Sequence, residues 1–194
     1  MQRTLIPYVL LLALIGFFAG TQQAAAQDDG SVSNTATATL TLGVTEVSLI
    51  KVSAGVINLQ LNRREAGLPV ETSKSDSTAR LLISSVISTS AARTLSAKIS
   101  AGSLPASTHL ELVAMQPNVN FAGTPGALAL PITLDATDKP IVTGIETCYS
   151  GTGPSDGYPL KFVYALDTNA SNYGSLRATT GTQVIVTFTL TAAL

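Results

Sequence analysis

The chain has 194 residues, a formal net charge of −1, one Cys, one His, no Trp and only 12% charged residues. One Cys and one His cannot build a Cys/His metal cluster or a disulfide framework, and a chain so poor in Lys and Arg lacks the dense basic surface that nucleic acid demands. Without Trp, a flat aromatic platform would have to be built from Tyr.

Met1–Ala26 reads as a cleaved secretory signal peptide. Arg3 supplies the positive start, Leu5–Phe18 a mostly apolar core, and Ala24-Ala25-Ala26 the small-residue cleavage site, leaving Gln27 as the new N-terminus. The apolar run falls short of the roughly 20 residues a spanning helix needs, so no transmembrane anchor is expected in the mature chain. Residues 27–194 are long enough for one domain with a proper core. Export places the protein in the periplasm, at the cell surface or outside the cell.

Beyond the signal, apolar residues recur with a period of two. In Thr35–Leu42, Ala36, Ala38, Leu40 and Leu42 alternate with four Thr. Val47–Val52, Val56–Leu61 and Arg80–Ile87 follow as strands. In Thr94–Ala101, Leu95, Ala97, Ile99 and Ala101 are expected inward. His109–Ala114, Ala127–Leu134 and Ile141–Thr147 come next, then Leu160–Leu166 with Leu160, Phe162, Tyr164 and Leu166 on one face. The last strand sets Val184, Val186, Phe188 and Leu190 against Thr187, Thr189 and Thr191. Turn chemistry separates many of these runs, as at Thr124-Pro125-Gly126 and Ser155-Asp156-Gly157. The expected fold is all-β: an antiparallel β-sandwich, immunoglobulin-like or pilin-like, of about 8–10 strands.

Two stretches break the rhythm. Asn62–Ala79 is polar and charged, a solvent-facing connection or an elongated hairpin tip. Cys148–Tyr158 is a glycine-rich loop, and every mature aromatic except Phe121 lies at or beyond its start. Two readings stand: core filling with tyrosines at loop ends, or a binding loop formed by Tyr149, Asp156, Tyr158 and Tyr173.

Chemistry is harder to find. His109 is expected to face outward with Glu111, and Cys148 to be a small buried hydrophobe, so no nucleophile–base pair is assembled. Asp135, Asp138 and Asp156 sit at turns or strand ends, where Asp favours turn formation; a calcium site there is the weaker alternative. Gly151-Thr152-Gly153 lacks the Gly-Lys-Ser/Thr ending of a phosphate loop, and Asn169-Ala170-Ser171 fits a glycosylation sequon. No catalytic residue, metal or cofactor is assigned, and no enzyme is expected.

The Thr-Ala-Thr-Ala-Thr entry after a signal peptide, and the terminal Thr-Gln-Val-Ile-Val-Thr-Phe-Thr-Leu-Thr run, resemble bacterial secreted β-sandwich proteins: pilin or fimbrial subunits and spore-coat-U-like surface domains. The resemblance covers the two ends of the chain. It implies a structural or interaction role at the cell surface or in extracellular matrix, with self-assembly or other surface proteins as partners. It also implies that Thr35–Leu42 acts as a donor strand completing a neighbour's sheet; the alternative is an ordinary first strand of its own domain. A carbohydrate- or protein-binding module is the second functional class.

Overall fold

The computed structural model describes residues 35–53, 55–62, 65–88, 91–117, 120–167, 173–179 and 181–192. The signal-peptide segment, the sequon and Ala193 lie outside them. The chain divides into two units, Met1–Leu42 and Gly43–Leu194. In the first unit, residues 35–42 form no strand, and Leu40 and Leu42 are 74% and 87% exposed.

The second unit is built from antiparallel strands: β1 (Val47–Val52), β2 (Ser73–Asp76), β3 (Arg80–Val86), β4 (Arg93–Ala101), β5 (Thr108–Ala114), β6 (Ala122–Gly123), β7 (Ala127–Leu128), β8 (Ile132–Thr133), β9 (Lys139–Ile145), β10 (Cys148–Tyr149), β11 (Tyr158–Leu166) and β12 (Ile185–Ala192). One sheet runs β6-β10-β3-β11-β5-β8, with β1 on the free side of β3 and β2 beside β11. The other runs β12-β4-β9-β7. The two sheets pack over a common core, a sandwich-like arrangement. The period-two pattern is the cause: β3, β4 and β5 each alternate buried and part-exposed residues, so each strand has one face to hide. Leu81, Leu95, Leu112, Ile141, Ile145, Tyr158 and Leu160 are fully buried between the sheets, each worth about 1.5–3 kcal/mol.

The expected strands at Val47–Val52, Arg80–Ile87, Thr94–Ala101, His109–Ala114 and Leu160–Leu166 and the C-terminal run are present, with ends shifted by a residue or two. Others depart from expectation. Among the described residues the first strand is β1, and Thr35–Leu42 forms none. Val56–Leu61 keeps its alternation, with Ile57 and Leu59 against the core, but joins no ladder. Ala127–Leu134 is two short strands in different sheets, β7 on β9 and β8 on β5. The break falls at Leu130-Pro131, where proline has no N–H for a ladder and Leu130 turns out to solvent. Ile141–Thr147 likewise ends at Ile145, and the chain crosses to the other sheet to start β10. Such strands that change sheets make the corners of a sandwich.

β2 and β3 are one strand interrupted. Both pair with β11, where Tyr158 faces Leu81 and Phe162 faces Asp76, so four steps along β11 match five along its partner. The extra residue is absorbed at Ser77–Ala79. There Asp76 Oδ1 accepts hydrogen bonds from the Thr78 N–H at 2.9 Å and the Thr78 hydroxyl at 2.7 Å, fixing the bulge.

Candidate functional site

The glycine-rich loop folds around a carboxylate. Asp156 is buried and accepts from the Asn120 side-chain amide at 2.8 Å and from the Gly153 N–H at 2.7 Å. Asn120, then the Gly153 and Thr152 N–H groups, hold the carboxyl below its ordinary range. Gly151 has φ +80°, and a Cβ there would lie 2.3 Å from Asp156 Oδ2, so only glycine lets the backbone wrap so closely. Ser150 anchors the loop's start: its hydroxyl accepts from the Ile83 N–H at 2.9 Å. With every contact directed inward, Asp156 is a clamp for its own loop.

Tyr158 is fully buried. Its hydroxyl donates to the Pro125 carbonyl, and its ring meets Phe121 edge-on at 5.6 Å and 70°. Burial pushes its hydroxyl well above the usual tyrosine range. Tyr158 is therefore part of the core and not of a binding surface. Tyr149 is 57% exposed, whereas Tyr173, also exposed, accepts the Val70 N–H at 3.1 Å through its hydroxyl. These two tyrosines do not converge. Tyr149 pairs with Ser84, past the Tyr158 end of β11, while Val70 lies past the Leu166 end, where Thr72 accepts the Leu166 N–H. Eight residues of strand separate those ends by about 26 Å. Of the proposed loop's rings, Tyr158 is buried, while Tyr149 and Tyr173 stay exposed at opposite ends of β11.

Tyr149 has neighbours that lie far from it in the chain. Its inward neighbour Cys148 pairs with Ser85, so Tyr149 and Ser84 share the outer face. Ser84 in turn pairs with Leu49 on β1, and Tyr149 with Ala122 on β6. Leu49, Ser84, Tyr149 and Ala122 thus form one row across four strands, with Leu49 65% exposed.

The remaining candidates resolve into structural roles. Cys148 is buried and free, and burial raises its thiol to about 11. Asp135 is held by Lys139 at 2.6 Å and by the Thr137 N–H and hydroxyl, which lower its carboxyl strongly, and Asp138 pairs with Lys98 at 2.7 Å. His109 Nδ1 lies 3.0 Å from Asp167 and Nε2 3.7 Å from Glu111. Among the described residues no group of three or more His, Cys, Asp or Glu could hold a metal ion. No helix of the described residues is long and apolar enough to cross a membrane. A half-exposed Glu46 bonds both the buried Arg93 and, at 3.0 Å, the Ser88 hydroxyl, tying the entrance of β1 to the other sheet. Nothing in the sequence patterning pointed to that pair.

The described residues define an all-β, two-sheet protein. No family model, curated protein or solved structure matches the chain.

Proposed function

We infer that the protein is a secreted structural or interaction protein of the bacterial cell surface or extracellular matrix, assembling as fimbrial-like subunits do. The observation that supports this reading is the segment Thr35–Leu42. It alternates as a strand should, yet forms none, and its large apolar side chains are exposed. An alternating segment without a ladder is suited to strand addition on a second copy, where main-chain hydrogen bonds supply affinity and alternate side chains supply register. β12 offers an edge, since it pairs with β4 on one side and with no described strand on the other. The mature protein should form ladders or filaments, seen by size exclusion and electron microscopy, that vanish when residues 27–43 are removed. Monomers in both forms, with the sheet intact, would sink the assembly reading. The Leu49–Tyr149 row favours a second reading, a binding module for carbohydrate or protein.

A further inference from the structure

Among the described residues, two uncharged stretches alternate as strands do yet join no ladder: Thr35–Leu42 and Val56–Leu61. They differ in what they touch. Leu40 and Leu42 are exposed, whereas Ile57 and Leu59 are half-buried against the core. Val56–Leu61 thus turns one apolar face inward and leaves Asn58 and Gln60 outward, as a strand would. Its backbone makes no hydrogen bond among the described residues. Apolar contact alone holds it down.

The stretch follows closely on β1, and β1 and β12 are the long edge strands of the two sheets and approach each other. Toward that side the core thins. Leu95 and Ala97 on β4 are fully buried, but Val186, Phe188 and Leu190 on β12 and Ile50 on β1 are only partly covered. The connection that carries Val56–Leu61 is pinned at both ends. The Ser53 N–H donates to the Arg80 carbonyl at 2.8 Å. At the far end the Val70 N–H donates to the Tyr173 hydroxyl at 3.1 Å, and the Thr72 carbonyl accepts from the Leu166 N–H at 2.9 Å. Between Ser53 and Val70 the described residues make one hydrogen bond, from the Leu68 N–H to the Glu65 carbonyl. Lifting Val56–Leu61 therefore breaks no strand and no pin.

We propose that Val56–Leu61 is a displaceable strap, lifted when Thr35–Leu42 of a second copy takes its place on the core. This rests on the assembly reading and gives that reading its control. The incoming segment has the strap's period and its lack of charge, and its Leu40 and Leu42 stand two residues apart as Ile57 and Leu59 do. It can therefore repeat the strap's apolar contacts. It also adds a ladder along an edge strand, which the strap does not make. Each main-chain hydrogen bond is modest in net terms, but a strand's length of them decides between two segments with similar apolar faces. Until then the strap keeps part of the core covered, so assembly is an exchange and not a bare addition. A segment held by few apolar contacts and no backbone bonds is also the kind that opens first.

The test uses the mature protein and follows assembly by light scattering. In a Leu59→Cys variant kept dilute, the new thiol should react with a maleimide several-fold more slowly than that of Asn58→Cys, an exposed neighbour. In assembled material the two should react equally fast, while the buried Cys148 stays unreactive in both. Ile57→Ser/Leu59→Ser should assemble sooner and at about tenfold lower concentration, since losing each half-buried side chain weakens the strap's hold by a factor of roughly 3 or more. An unchanged far-UV spectrum shows that its sheets are kept; if that variant does not fold, the thiol measurement decides alone. Leu40→Asp/Leu42→Asp should abolish both the assembly and the change at position 59. A thiol at position 59 that stays slow in assembled material, or a folded double-serine variant that assembles no sooner, overturns the strap and leaves strand addition standing. Release of the strap in the Leu40→Asp/Leu42→Asp variant overturns Thr35–Leu42 as the occupant. No assembly of the wild-type or the double-serine protein at any concentration removes the strap and the assembly reading together.

Discussion

Tyr158→Phe separates a core tyrosine from a binding tyrosine. The substitution removes one hydroxyl and leaves the ring against Phe121. In the native protein that hydroxyl is fully buried and donates to the Pro125 carbonyl, which the variant leaves without its donor. Losing a buried hydrogen bond of this kind costs about 1–2 kcal/mol. For a unit the size of Gly43–Leu194 that lowers Tm by about 3–6 °C. Tyr158→Ala removes the ring as well, and a buried aromatic truncated to alanine costs about 3–5 kcal/mol. Urea unfolding followed by far-UV circular dichroism measures both, and the Phe variant should keep the wild-type m-value, since the surface exposed on unfolding is unchanged. Neither m nor ligand binding should move with Tyr158→Phe. A Phe variant as stable as wild type would mean that water already satisfies the hydroxyl. One that unfolds normally but loses glycan binding would return Tyr158 to a binding surface. Either result refutes the core assignment.

Three further outcomes follow from the same loop and its neighbours. Gly151→Ala places a methyl group on the Asp156 carboxylate at a positive φ and should destabilise the fold more than Gly174→Ala, where a Cβ meets nothing within 4 Å; thermal melts of the two variants compare them directly. Cys148 should resist alkylation at pH 8 in the folded protein and react readily in urea. Its thiol, raised from 9.0 to about 11, also contributes stability that is complete below pH 9 and lost as pH rises toward 11, an effect a Cys148→Ala variant should not show in a pH series of melts. At the acid end, Asp135 and Asp156 have depressed values, so both add stability above the ordinary aspartate range that is lost as pH falls through it; Asp156→Asn should flatten part of that acid limb.

The strands were legible where one face is buried and the other wet, because burial then writes the period of two into the sequence. Thr94–Ala101 is the clear case, with Leu95 and Ala97 fully buried between part-exposed neighbours. The same signal cannot say where a strand leaves its sheet. Ala127–Leu134 looks continuous by its alternation, and the sign of the break is Pro131, which has no N–H to give a ladder. The position of Tyr158 is legible in the alternation. Extending the Leu160, Phe162, Tyr164 alternation back by two residues puts Tyr158 inward, directly after the turn glycine Gly157. Tyr173 was not legible at all, since its partner Val70 lies 103 residues away in a polar connection.

A line of cations on the outer face illustrates a different limit. Lys51, Arg80 and Lys161 belong to three strands far apart in the chain, and each alone is an ordinary solvent-facing residue. Their alignment comes from register, which pairs Lys51 with Leu82 and Arg80 with Pro159. Here Asp135, Asp138, Glu71 and Glu46 are each matched to other cations, and the carboxylates of Asp167 and Glu111 face His109. On the same outer face Glu111 stands one equal step beyond Lys161, since Val113 pairs with Lys161 and Glu111 with Val163, so the line of cations ends at a carboxylate. Tyr149 pairs with Ser84, two strands from Lys51 and to the side of that line, so the cations and the aromatic are separate features of one face and are tested apart.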